Sequence, residues 1–174
     1  MTSEQASFLL TSVSLPSLAA EQPITKSVIA AIPAEKVDYR PDDIVRSAVD
    51  LAWHIVTVEV RFMNAASTGA FDLTPMPRPD TVRSGGDVNR WYDREFGAAI
   101  EKLTRASGDQ LIRIVDFRGI FQLPAVVYLD VGLRHSVHHR GQLSMYLRPM
   151  GAKVPSIYGE SHDARIAREA ATAR

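Results

Sequence analysis

Apolar side chains recur along this chain at helical spacing in four stretches, separated by segments marked by proline and glycine. The first stretch, from about Ser3 to Ile32, is apolar enough for a helix but contains Pro16 and Pro23. Each proline removes an i→i−4 hydrogen bond, which predicts a kinked helix or two shorter ones. Pro33 and Pro41 bracket a connector expected to run extended. Pro41-Asp42-Asp43 reads as the start of a second helix, with acidic residues in its first turn, and Gly69 as its stop. Ile44, Ala48, Leu51, Ile55, Val58 and Phe62 recur at helical spacing as its buried face, and His54 falls among them.

Residues 70–86 read as a loop, stiffened by Pro75, Pro77 and Pro79 and loosened by Gly85-Gly86. Its length makes it a candidate lid or dimer element. A third helix is predicted from about Asp87 to Ser107, with Val88, Trp91, Tyr92, Phe96, Ala99 and Leu103 inward and Gly108-Asp109 at its end. Leu111–Phe121 has mixed apolar spacing and reads as irregular or briefly extended. The fourth helix is expected from about Pro124 to Pro149, closed by Met150-Gly151. Tyr128, Gly132, His135, His139, Gln142 and Tyr146 share one of its faces. Four amphipathic helices without a convincing strand pair predict an all-α fold, a four-helix bundle. The bundle is expected to occupy residues 1–160 as one domain, with 161–174 a C-terminal tail or short Ala-rich helix.

Composition narrows the function. Twenty basic residues balance twenty acidic ones, which argues against a nucleic-acid-binding surface. Cysteine is absent, so disulfides, thiolate metal sites and a protein-borne thiol nucleophile are excluded, leaving histidine and carboxylate as metal ligands. No apolar stretch approaches the ~20 residues of a membrane span, and the N-terminus lacks the basic region of a signal peptide. A cytoplasmic protein without a membrane partner is the expectation.

Three of the five histidines then change the picture, because they fall within Arg134-His135-Ser136-Val137-His138-His139-Arg140-Gly141-Gln142-Leu143. His135 and His139 are one turn apart and ~40° apart around a helix, so both rings can reach a single cation. His54 is the third candidate ligand. Alone on an apolar face it reads more readily as a hydrogen-bonded core histidine. Bundle cores, however, are where facing helices converge side chains on a metal. His138 lies ~80° from the His135/His139 face and is expected to back the site or face solvent. Gln142 is a candidate to hold a ligand histidine's second nitrogen or a substrate carbonyl, and Asp50, one turn before His54, is a candidate carboxylate behind that ring or simply a solvated acid on the helix surface. Tyr128 and Tyr146 are candidate hydrogen-bond donors beside the site, or simply core aromatics. Gly132 and Gly141 leave room either for a ligand or for a closely packed helix.

The motif His135-Ser-Val-His-His139-Arg140-Gly141-Gln142-Leu143, followed by Tyr146-Leu147-Arg148 and Gly151, resembles the signature of the DinB/YfiT-like metalloenzyme family. Leu51-Ala52-Trp53-His54, the connector from Ile32 to Pro41 and the ending Val154-Pro155-Ser156-Ile157-Tyr158-Gly159 match the same pattern, so the resemblance covers roughly residues 5 to 160. It implies a four-helix bundle, commonly a homodimer, with a divalent metal on His54, His135 and His139. It also implies kinship with transferases and isomerases that use low-molecular-weight thiols; the family name refers to DNA-damage induction, not DNA binding.

Three neutral imidazoles suit zinc or nickel best, leaving iron, copper and manganese open. The leading expectation is a metal-dependent enzyme acting on a small-molecule substrate. The nucleophile would be an external low-molecular-weight thiol in a transferase, or water in a hydrolase. Glu59, Asp130, Tyr92 and Tyr128 are candidate general bases. The opposing expectation is a non-catalytic metal-binding stress-response protein in which the ion ties two helices together.

Overall fold

The structure is a computed structural model that describes residues 1–173. Its long elements form an all-α four-helix bundle. The first wall is one continuous helical run: α1 (Ser3–Leu9), a π-helical turn (Leu10–Ser14) and α2 (Leu15–Ala30). Thr2 and Gln5 close a capping box at its start. Pro16 enters just after the π-helical turn, where the widened spiral tolerates the proline ring, and Pro23 is carried inside α2. The other walls are α3 (Ala48–Thr68), α4 (Gly85–Thr104) and α6 (Val127–Leu147). α3 packs against α6 and α4, and α2 closes the ring against both of them. A four-residue α5 (Gly108–Leu111) and α7 (His162–Thr172) complete the helices. The expected tail is therefore helical, and its last residue, Arg174, lies outside the described residues.

α3 begins six residues later than Pro41-Asp42-Asp43 suggests. Asp42 accepts a hydrogen bond from the Ile44 amide at 3.0 Å and makes a local turn instead of a cap. The buried Ser47 takes the capping role on Asp50, while Ala48 and Val49 donate to the carbonyls of Tyr39 and Val37 in the connector. Ile44 is consequently in a loop and 93% exposed, not on the buried face. The rest of α3 is buried almost all round, because α4 and α6 cover it from two sides. Gly69, at φ +80°, ends it as expected.

Other boundaries also move. Ser84 caps α4, which starts at Gly85 and ends at Thr104; Gly108 opens α5, because Ser107 and Gln110 form a new capping box there. The stretch after Leu111 holds a strand pair that the sequence reading lacked: β1 (Ile114–Phe117) and β2 (Phe121–Pro124), antiparallel, with Ile114 opposite Pro124 and Phe117 opposite Phe121. Alternation was illegible there because apolar residues point both ways; Ile114 and Phe121 remain 62% and 47% exposed. Pro124 belongs to β2, so α6 starts at Val127 and ends at Leu147.

The two helix glycines differ in role. A Cβ on Gly132 would lie 2.6 Å from the Phe62 Cβ, so this glycine serves the close approach of α6 to α3 rather than space for a ligand. A Cβ on the exposed Gly141 would meet nothing within 4 Å, so no close approach explains it. Gly141→Ala is expected to stabilise the fold by about 0.5–1 kcal/mol, the helix-propensity difference. Gly132→Ala is expected to destabilise it by about 1–3 kcal/mol through overpacking against Phe62. Urea unfolding of the two variants beside the wild type checks both signs.

Candidate metal centre

His54 projects from α3 toward His135 and His139 on α6. The Nε2 atoms of His54 and His135 stand 3.2 Å apart, and one ligand nitrogen from each of the three rings falls within 4.8 Å of the other two. Ring centroids are 4.9 Å apart for His54–His135, 4.7 Å for His54–His139 and 4.4 Å for His135–His139. Two nitrogens bound tetrahedrally to one ion at ~2.05 Å would lie ~3.3 Å apart. The separation between His54 and His135 thus already suits two corners of such a site. The cluster is compatible with a metal site in both donor type and geometry.

All three rings are half-buried, and their electrostatics keep them uncharged. Burial, then the Arg46 guanidinium and the two partner histidines, lowers the His54 pKa to about 3. Burial and the neighbouring His139 and His138 lower His135 to about 4. His139 is lowered too, by burial first, against the raising effect of its hydrogen bond to Gln142. Neutral imidazoles keep a lone pair for an ion. For His139 that lone pair has a defined place. Its Nδ1 is 2.7 Å from the Gln142 Oε1, an acceptor only, so Nδ1 carries the proton and Nε2 is free. The Gln142 amide nitrogen is 3.2 Å from His138 Nε2, which places His138 on the exposed outer side of this pair. The His135 Nδ1 is buried without a hydrogen-bond partner among the described residues, so no bond at that nitrogen orients the ring.

The remaining candidates are distributed differently. Tyr146 lies beside His139 and Gln142 in a cleft of about 800 Å³, packed edge-on against Tyr39. Asp50 lines the same cleft but, among the described residues, its partners are Ser47 and arginines rather than a histidine. It accepts from Ser47 and from Arg78 Nε, both at 2.6 Å, and these outweigh its burial to hold the carboxyl below its usual range. Tyr128 is not at the site. Its hydroxyl donates to the Val115 carbonyl at 2.8 Å, with that of Phe121 at 3.0 Å, and so ties the hairpin to α6. The helical period placed it near the histidine face, but two turns before His135 it has passed beyond the ligand cluster. Of the general-base candidates, Asp130 is exposed and paired with Arg134, and Glu59 and Tyr92 hydrogen-bond to each other in the core.

A second cleft, of about 530 Å³, is lined by His54 and His135. Arg46 lines both clefts, and Arg61 and Arg118 line the second. These arginines are not among the site residues expected from the sequence. Only Arg61 had a signal: it follows His54 by seven residues, two helical turns on the same face. Arg46 and Arg118 come from loops, where no period exists. The loop after α3 is pinned over this side, since Trp53 Nε1 donates to the Met76 carbonyl at 3.0 Å and Arg61 to that of Thr74 at 2.7 Å. Among the described residues, no helix is long and apolar enough to cross a membrane.

Comparison with known proteins agrees with this architecture. The sequence model described as the DinB family matches residues 5–169. Two uncharacterized proteins of Bacillus subtilis (strain 168) are similar: YjoA, 26% identical over 130 residues (74% of this chain, 82% of YjoA), and YrdA, 27% identical over 114 residues (65% of this chain, 66% of YrdA). The crystal structure of the DinB-like YjoA superposes with a TM-score of 0.68 at 21% identity, covering 83% of this chain and 96% of that one. A DinB-like protein from Bacillus cereus ATCC 10987 superposes with a TM-score of 0.70 at 24% identity, covering 83% and 95%. These likenesses in structure show the fold.

Behind the histidines the core carries buried charge. Arg140, next to His139 but turned inward and 1% exposed, pairs with Glu21 at 2.6 Å and donates to Thr25 at 3.1 Å. Glu59 is buried and accepts from the Tyr92 hydroxyl at 2.6 Å. Burial pushes its pKa from 4.5 up to about 7, against the lowering effects of Tyr92, Ser136 and Arg140. Below the ordinary value the carboxyl is protonated whether folded or not. Above about 7 the fold must bury a charge that the unfolded chain keeps in water, so this residue costs stability as pH rises between those values. Glu59→Gln removes that cost. Relative to wild type, the variant should gain stability on the order of 3 kcal/mol between pH ~5 and ~8. Urea titrations across the range check it: a gap that stays constant with pH would show that Glu59 titrates normally.

Proposed function

The chain belongs to the DinB family, and from that premise we propose that His54, His135 and His139 hold one divalent transition metal, zinc or nickel, in an enzyme acting on small molecules. The observation that carries this reading is the convergence of three uncharged imidazoles from two helices, with the His54 and His135 Nε2 atoms 3.2 Å apart. A divalent ion held only by neutral ligands keeps its full charge and supplies Lewis-acid activation of a small nucleophile. Gln142 fixes the His139 tautomer so that the free lone pair is on Nε2. Each of the three histidines lines a cleft, which leaves a substrate access to them and favours catalysis over an ion that merely ties α3 to α6. With no cysteine in the chain, a thiol nucleophile must come from outside as a low-molecular-weight thiol. The reaction is then thiol transfer, with hydrolysis the second reading if water takes that place.

Elemental analysis of untagged protein, beside a His135→Ala/His139→Ala double variant, tests the site. Wild type is expected to carry about one equivalent of transition metal per chain, lost in the variant. Wild type that stays metal-free after incubation with zinc or nickel would overturn the proposal. With metal bound, thiol consumption against electrophile panels, abolished by a chelator and restored by the ion, separates transfer from hydrolysis.

A further inference from the structure

On the reading of the histidines given above, we infer that the cleft of about 530 Å³ beside His54 and His135 binds the substrate as an oxyanion carried on a flat apolar body, such as an aromatic carboxylate. Three arginines, Arg46, Arg61 and Arg118, line this cleft, and among the described residues no carboxylate does. Arg46 and Arg118 form no ion pair among the described residues; Arg118 instead lies over the Phe117 ring at 5.7 Å. Arg61 gives one hydrogen bond to the Thr74 carbonyl, leaving further N–H donors. The nearby acids lie outside the cleft lining, and of these Asp72 is within electrostatic reach of Arg61. Asp72 accepts from the Thr74 amide at 2.9 Å, and Asp116 accepts from the Gly119 amide at 3.0 Å. Asp50 is taken by Arg78.

Cationic groups drawn around an apolar cleft repel one another unless an anion compensates them. Guanidinium groups, moreover, match a carboxylate or phosphate with paired hydrogen bonds. Phe62, Phe117 and Phe121 form the apolar wall, and the Phe117 and Phe121 rings are inclined by only 13° at 6.5 Å. Leu73, Met76 and Phe121 on this cleft are 37%, 46% and 47% exposed, apolar surface that a flat ligand would cover. The hairpin tip completes the arrangement. Arg118 has φ 58° and Gly119 φ 69°, the pattern of a type I′ turn. An arginine stands where glycine is at ease, and its guanidinium is delivered to the cleft.

Calorimetric titration of the full chain, freed of metal by a chelator, tests this with four matched probes: 2-naphthoate, 2-naphthylmethanol, 2-naphthylmethylamine and acetate. The naphthoate is expected to bind about tenfold more tightly than the neutral alcohol, with the amine and acetate weaker still. Arg118→Gly suits the left-handed backbone and so keeps the fold. This variant and Arg46→Gln should each weaken naphthoate by about tenfold and leave the alcohol unchanged. Equal binding of the alcohol and the naphthoate, or naphthoate binding indifferent to both variants, would overturn the inference. Repeating the titration with zinc separates the two readings. Naphthoate binding that requires zinc and survives both variants sinks the arginine assignment while leaving the metal. Anion-selective binding in protein that takes up no metal does the reverse.

Discussion

Everything at the histidine cluster depends on how closely α6 lies against α3. The two helices that carry the ligands approach closely, with Gly132 leaving room for the Phe62 side chain, and across this interface the His54 and His135 Nε2 atoms converge to 3.2 Å. Gly132 lies one turn before His135, and Phe62 lies two turns after His54, so the contact and the cluster share one interface. The remaining rotation of α6 is held by Arg140. Next in sequence to His139, it points inward to Glu21 and Thr25 of α2, so turning His139 away would draw a buried guanidinium off its partners. Tyr158 joins this group through the Glu21 carboxylate at 3.1 Å and brings the segment before α7 onto the same anchor.

Charge is distributed around this interface with a consistent sense. The histidines are uncharged because they are partly buried and face arginines, chiefly Arg46. The acidic residues nearest them are committed to other partners: Asp50 to Arg78 and Ser47, Glu59 to Tyr92. What faces the clefts is therefore lone pairs and cations, a setting that favours an ion held by neutral donors and an anionic ligand beside it. Ionised carboxylates among the ligands would have lowered the site's charge, and with it the ion's capacity to polarise what it binds.

Legibility in the sequence followed the length of each periodic signal. α3 and α6, each 21 residues long, were recognisable, and so was the pairing of His135 with His139 one turn apart. Short elements were not. Ile44 looked like the first residue of a buried stripe, but Asp42 and Ser47 compete as start signals and only the connector's carbonyls decide between them. The hairpin was hidden because strands of four residues with exposed apolar positions show no clean alternation. Tyr128 was assigned to the histidine face by period alone, whereas hydrogen bonds to Val115 and Phe121 commit it to that hairpin.

Sequence by itself determined the helical class, the absence of any thiol and which two histidines share a face, because each follows from composition or from the 3.6-residue period within one segment. The resemblance named His54 as the third ligand, which no spacing within the chain could do; tertiary structure decided that its ring meets the other two, that of the candidate supports Gln142 bonds His139 while Asp50 turns to Arg78, and that Arg46, Arg61 and Arg118 gather at one cleft. The physical reason is separation along the chain. His54 and His135 are 81 residues apart, and no local period carries information across that distance. Only packing of the helices, with a glycine at their contact, converts the three positions into a single site.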